Sequence, residues 1–238
     1  MERVEKYKNY FNKEFLMGPN GIRLLNEMLE NYPIAPNSKV MDLGCGKGLT
    51  SLFLAQESKA NVFAVDLWVS ATENYRQFCK WGIENSVIPI HADANNLPFA
   101  NEYFDAVVSI DSFHYFSAKP NFFIKNILPL IKKEGVALIA MPGLKEEIHG
   151  KEPQLVREWV DGEEVEYDLY HSLEWWKSYI GQSDSFEIVK AFEMNSYLAS
   201  WNDWFASGHE FAVRDDEYFK LGIDQYLAMI GFIIRKTR

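Results

Sequence analysis

Val40-Met41-Asp42-Leu43-Gly44-Cys45-Gly46-Lys47-Gly48-Leu49 joins a short apolar run to a glycine-rich turn and then to a helical stretch. Its first four residues have the length and apolar content of a buried strand, and a helix is expected over 49–57. A strand that ends in glycines before a helix lets main chain come close to a ligand. Two phosphate motifs can be tested against the turn. A dinucleotide fingerprint wants G-x-G-x-x-G, but position 49 is leucine and the third glycine comes one residue early, at Gly48. A phosphate loop wants G-x-x-x-x-G-K-[ST], but Lys47 is followed by Gly48, and Met41 stands five residues before Gly46. A nucleotide without a diphosphate fits better than either.

Working outward, short apolar runs alternate with helical stretches. Strands are expected over 62–65, 87–90, 104–110 and 136–140, with helices over 71–81 and 122–131. Strand and helix in alternation imply βαβ units and a parallel sheet, with helices over both faces. Before this region, Val4, Tyr7, Tyr10, Phe11 and Phe15 fall on one helical stripe. Gly18-Pro19-Asn20 breaks that helix, and Asn20 caps a second one carrying Ile22, Leu25, Met28 and Leu29, ended by Pro33 and Pro36. After Pro142-Gly143 the rhythm stops. Residues 144–170 are charged and interrupted by Gly150, Pro153 and Gly162, an excursion or lid. Ser172 caps a short helix with Trp175 and Trp176, a sixth strand is expected over 186–192, helices over 197–224, and a last strand over 226–234. Strands six and seven are then separated by a helical insertion rather than a tight hairpin.

Composition bounds the function. The chain has 238 residues, 47% hydrophobic and 24% charged, which suits one α/β domain with a cap. The formal net charge of -10 argues against general nucleic-acid binding and against anionic membrane surfaces. Cys45 and Cys79 cannot build a disulfide framework, and no C-x-x-C pair offers zinc ligands. The charged start has no apolar core of signal-peptide length, and no apolar run reaches the ~18 residues of a membrane span. The expectation is a soluble, cytoplasmic protein.

Four ordered motifs resemble the class I S-adenosylmethionine-dependent methyltransferases, in particular the small-molecule group called type 11. Met41-Asp42-Leu43-Gly44-Cys45-Gly46-Lys47-Gly48 matches that family's first motif in full. Asp66 ends the second strand, 66 − 44 = 22 residues beyond the first glycine. That is near the spacing of about 20 for ribose recognition, and an ionised carboxylate offers two oxygens to the two ribose hydroxyls. By resemblance, Leu67 or Trp68 flanks the adenine. His91-Ala92-Asp93-Ala94 followed by Leu97-Pro98-Phe99 is similar to the third motif, which implies that Asp93 accepts from the adenine amino group and the Ala94 N–H meets a ring nitrogen. Phe104 to Tyr115 is similar to the fourth strand and its loop, which implies that Ser109, Ile110 and Asp111 line the cofactor and that His114 and Tyr115 sit near the methyl. The family's Pro-Gly-Gly turn before strand five is reduced here to Gly135.

The resemblance implies a three-layer, Rossmann-like α/β fold: a mostly parallel seven-stranded sheet, helices on both faces, and a helical or irregular cap. The expected division is an N-terminal helical lid (1–38), an S-adenosylmethionine-binding core (39–143), a substrate-side cap (144–182), and the last strands with their helical insertion (183–238). The expected cofactor residues are Asp42, Gly44, Gly46, Gly48, Asp66, Leu67, Asp93, Ala94 and Ser109. The acceptor is a small molecule held in line with the S–CH₃ bond. His114 is the candidate base, since histidine titrates near neutrality, with a packing role as its competitor. The aromatic cap residues Trp159, Trp175, Trp176, Trp201, Trp204, Tyr167, Tyr170 and Tyr197 read mostly as the small core of an irregular cap, and as a group that shields the site or holds a cationic or planar acceptor. Cys45 reads as a small neutral side chain. No metal is expected: His91 and Asp93 share a strand face but lack further ligands. An NAD(P)-dependent oxidoreductase and a catalytically silent S-adenosylmethionine-binding module are the alternatives.

Overall fold

In the strands of the sheet, successive side chains feed two different cores. A computed structural model describes residues 2–117, 119–160, 167–181 and 183–238; Gly162 of the expected excursion lies outside them. In β1 (Lys39–Leu43), Val40 packs on one side while Met41 and Leu43 pack on the other. In β4 (Phe104–Ile110), Ala106, Val108 and Ile110 take the first side and Val107 the second, which Phe104 joins across a shift in register. This period-2 split is why the strands read as continuous apolar runs: both faces are covered.

With β2 (Asn61–Asp66), β3 (Val87–His91), β5 (Ile131–Leu144), β6 (Phe186–Glu193) and β7 (Leu227–Lys236), they form one seven-stranded sheet in the order β3-β2-β1-β4-β5-β7-β6. All pairs are parallel except those of β7, which runs antiparallel to β5 and β6. The chain moves outward from β1 to β3 and returns beside β1 at β4. The order therefore reverses between β1 and β4, and a crevice opens there at the strands' carboxyl ends.

Among the described residues the α-helices include α1 (Glu2–Glu5), α2 (Gly21–Asn31), α3 (Leu49–Glu57), α4 (Ala71–Trp81), α5 (Phe113–Ser117), α6 (Gln154–Trp159), α7 (Leu173–Ile180), α8 (Tyr197–Ala206) and α9 (Glu210–Lys220). Asn20 caps α2 as its sequence position predicts, its side chain accepting from the Ile22 N–H. Ser70 and Glu73 form a reciprocal capping box on α4. Ser172 caps α7 through the Trp175 N–H. There Trp176 is buried against Phe113 while Trp175 stacks on Tyr179, so the two neighbours face different ways.

Two expected helices do not form. The N-terminal stripe is no single helix: α1 gives way to a 3-10 turn over Lys8–Tyr10 and then to irregular chain. Asn12 is one reason, since its side chain donates to the Asn9 carbonyl and accepts from the Glu14 N–H, taking main-chain groups a helix would need. The stripe still packs. Tyr7 docks on α3, its ring edge-on to Phe53 and its hydroxyl donating to Gln56 and Glu57. Over 122–131 the chain makes a π-helical turn (Phe123–Ile127) and a 3-10 turn (Leu128–Leu130), and β5 begins at Ile131. Pro129 has no N–H to continue a helix, and Ile131 already pairs with Phe104. β5 is longer than expected because β7 pairs with it as far as Leu144.

Candidate functional site

The glycine turn leaves β1 at the crevice, and its geometry follows from what surrounds it. Gly44 has φ +76°, and a Cβ there would stand 2.4 Å from Ser112 Cβ and Oγ. Gly48 has φ +84°, and a Cβ there would meet the Phe78 ring at 2.4 Å. Both positions therefore need glycine, for backbone hand and for close approach. Gly48 serves helix packing and does not line the cavity; Gly44 and Gly46 do. Asn74, which sequence reasoning missed, pins the turn from α4 by donating to the Gly46 carbonyl at 3.0 Å.

One cavity of about 470 Å³ gathers most of the expected residues: Gly44, Gly46, Asp66, Leu67, Asp93 and Ala94. Asp66 is buried and already engaged. Its Oδ2 accepts from the Gly46 N–H at 2.8 Å, and its Oδ1 from Trp68 and Val69 at 2.7 and 2.8 Å. A carboxylate offers about four lone-pair positions, so roughly one remains for a ligand hydroxyl rather than two. Sequence reasoning gave Asp66 the ribose alone; the structure adds that it ties the end of β2 to the glycine turn. Leu67 and Trp68 are exposed at the rim, Trp68 edge-on to Tyr115 at 5.2 Å. Asp93 is exposed and accepts from the Asn95 N–H and side chain, both at 2.8 Å, which lowers its pKa. His91 Nε2 lies 2.8 Å from the Leu67 carbonyl.

Three expected residues stand behind the cavity wall. Asp42 is buried, and its Oδ2 accepts from the Thr50 and Ser51 hydroxyls at 2.7 and 2.6 Å. Burial pushes its pKa up to about 6, against the lowering effect of those two bonds. It anchors α3 to β1, and Thr50 in turn lines the cavity. Ser109 is buried too. Since Ser112 Oγ donates to the Leu43 carbonyl at 2.9 Å, the 2.8 Å contact between the two hydroxyls has Ser109 donating. This chain props the strand ends and does not face a ligand. His114 is 1% exposed and lines neither this cavity nor the next. Its ring packs on Tyr115 and Tyr170, and among the described residues neither ring nitrogen has a partner. Burial lowers its pKa to about 3. The expected base is thus a neutral packing residue in this geometry. Cys45 is buried, and burial pushes its thiol up well beyond the nucleophilic range, in keeping with an inert side chain.

A second cavity, of about 340 Å³, adjoins the first and shares Met17, Gly18, Pro19, Asp111 and Tyr115 with it. Trp159, Tyr167, Tyr170, Trp201 and Trp204 from the cap form much of its wall. Polar groups are Arg214, whose guanidinium donates to the Trp159 carbonyl, and Asp215, which accepts from the Trp204 indole at 2.9 Å. At the junction Asp111 has φ +55°, an uncommon backbone for a non-glycine residue. A Cβ on Gly18 would come within 2.5 Å of the Asp111 carboxylate, so Gly18 lets the 15–19 segment close against it. The sequence reading made Gly18-Pro19-Asn20 only a helix breaker; here the segment is turn and bend, and Met17, Gly18 and Pro19 line both cavities.

Fold and glycine turn together define a class. Residues 41–139 match the family model described as a methyltransferase domain. The chain is 29% identical over 133 residues to the mitochondrial arginine-hydroxylase NDUFAF5 of Homo sapiens, covering 55% of this chain and 35% of that protein. It is 26% identical over 137 residues to phosphoethanolamine N-methyltransferase 1 of Arabidopsis thaliana, covering 58% and 27%. Thus the chain spans only 35% and 27% of these relatives' lengths. Phosphoethanolamine N-methyltransferase 2 of Haemonchus contortus, solved with S-adenosyl-L-methionine, superposes with a TM-score of 0.73 at 17% identity, over 99% of this chain and 57% of that one. Among the described residues no helix is long and apolar enough to cross a membrane.

Proposed function

We propose that the chain is an S-adenosylmethionine-dependent methyltransferase that transfers a methyl group to a small-molecule acceptor by in-line displacement, acting in the cytoplasm and not on nucleic acid. The observation that carries this reading is the convergence of Gly44, Gly46, Asp66, Asp93 and Ala94 on one cavity whose far wall opens to an aromatic one. The residues fit the cofactor: a turn whose Gly44 and Gly46 bring main chain close for its amino-acid tail, an acid at the end of β2 for the ribose, and Asp93 with Ala94 for the adenine. When bound, S-adenosylmethionine supplies an electrophilic methyl on a sulfonium.

The chain's own groups then have defined tasks. Asp66 holds the turn in shape and takes one ribose hydroxyl. Leu67 and Trp68 cover the adenine face at the rim. The aromatic walls of the second cavity exclude water and orient the acceptor, so that its attacking atom reaches a near-attack distance of about 3–3.5 Å. Asp111, touching both cavities, accepts a hydrogen bond from the acceptor's polar group and holds that group toward the methyl. Arg214 and Asp215 give the second cavity both charge signs, which suits a polar acceptor with a donor and an acceptor end.

Titration calorimetry with S-adenosylmethionine, S-adenosylhomocysteine and NAD(H) tests the cofactor, and mass spectrometry of metabolite pools tests turnover. S-adenosylhomocysteine binding with a product heavier by one methylene supports the proposal. Tight NAD(H) binding alone would replace it with an oxidoreductase. Cofactor binding with no product would leave a silent binding module, and a product gaining oxygen would redirect the chemistry toward hydroxylation.

A further inference from the structure

Glu147, His149 and His171 stand apart from both cavities, and their ligand-type atoms all lie within 4.8 Å of one another. Both imidazoles turn the same nitrogen, Nδ1, to the same oxygen, Glu147 Oε1, at 2.5 Å for His149 and 2.9 Å for His171. The geometry points to a divalent transition-metal site, of the zinc type, formed by Glu147, His149 and His171. It is independent of the methyltransferase reading.

The donor set suits such an ion and disfavours magnesium. Two imidazole nitrogens and one carboxylate oxygen are ligands that zinc, cobalt and nickel accept, whereas magnesium wants an octahedron of oxygens. Ligands at about 2.1 Å from a tetrahedral ion lie about 3.4 Å apart, longer than the 2.5 and 2.9 Å contacts to Oε1 and inside the 4.8 Å that spans the set. Binding therefore needs only a small withdrawal of Oε1 and an inward turn of the rings. Glu147 is exposed, so water can reach the fourth position.

The surroundings hold the donors in place. Glu147 Oε2 accepts from the Ser172 N–H at 3.1 Å and from its hydroxyl at 3.2 Å. His171 stacks on Trp175 at 3.6 Å and 8°. His149 stacks on Tyr167 at 4.8 Å, and its Nε2 is buried with no partner among the described residues, so the ring's directed contact is made through Nδ1. Beneath them the two chain segments are pinned by the Leu144–Ser172 bridge and by the Leu144 N–H donating to the His171 carbonyl at 3.1 Å. Such support around the ligands is what orients them in metal sites. Sequence reasoning missed the set because 24 residues separate His171 from Glu147. Since Tyr167 also lines the second cavity, the ion would brace that wall from behind.

The test uses the whole chain after dialysis against a chelator. Calorimetry with Zn²⁺ should give one ion per chain, and Co²⁺ should give the visible bands of a tetrahedral site. His149→Ala with His171→Ala should weaken Zn²⁺ binding at least tenfold and remove the cobalt bands. If that pair fails to fold, His149→Ala alone, which leaves the Trp175 stack intact, should lose the Zn²⁺-induced rise in Tm seen in the parent chain. No stoichiometric binding by the parent, or equal binding by the variants, would overturn the site.

Discussion

Replacing Asp66 by asparagine separates holding the glycine turn from merely filling space. The side chain keeps its size but trades one acceptor for a donor. If the amide oxygen sits where Oδ1 now takes Trp68 and Val69, its NH₂ faces the Gly46 N–H, and the 2.8 Å bond becomes a donor–donor contact. A hydrogen bond to a charged group contributes about 1.5–3 kcal/mol, and the two surviving bonds lose their charge assistance. The sum is about 2–4 kcal/mol. For a chain of this size each kcal/mol moves Tm by about 2–4 °C, so a fall of about 4–16 °C is expected. The slack turn should also bind S-adenosylhomocysteine at least tenfold more weakly. Thermal melting by circular dichroism and calorimetry read the two effects on one preparation. A Tm within about 2 °C of the parent, together with unchanged affinity, would refute the reasoning, because Asp66 would then be neither brace nor ligand.

Gly48→Ala should cost about 2–3 kcal/mol in chemical denaturation, since it adds a clash with the Phe78 ring to a positive φ; a variant as stable as the parent would place Phe78 elsewhere. His114→Phe should leave turnover intact and alter the pH profile of stability. The folded pKa is depressed to about 3, so between there and the unfolded value of about 6.5 the unfolded chain binds the extra proton. Stability should therefore fall as pH drops through that window more steeply in the parent than in the variant, by up to about 1.4 kcal/mol per unit, as urea titrations at several pH values would read. A large loss of kcat in His114→Phe would restore it as a base. Asp111→Asn should lower kcat/KM at least tenfold while cofactor affinity stays within about threefold, and an unchanged kcat/KM would remove Asp111 from the acceptor site. Asn20→Ala should cost about 1–2 kcal/mol, because the side chain caps α2 and also donates to Asp203 at 2.6 Å.

Much of the cofactor half of the site was legible because it is local. Strand, turn and helix over 39–57 obey short-range rules of apolar period and glycine placement, and α3 and α4 begin and end where those rules put them. Asp66 was found by its place at the end of β2, which a parallel sheet brings to the edge where β1 ends, and Asp93 by the resemblance of its segment to the family's third motif. The misread elements, the N-terminal stripe and 122–131, are places where Asn12 and Pro129 redirect backbone hydrogen bonds against a helical pattern.

The order of residues by itself determined most strands and helices and the glycine cradle, since each depends on neighbours a few positions away. Only the tertiary structure decided that Asp66 braces the turn, that His114 is sealed from both cavities, that Met17 to Pro19 meets Asp111 between them, and that Glu147 faces two histidines. Those outcomes depend on which groups packing leaves wet and which it buries, and burial is a property of residues far apart in the chain.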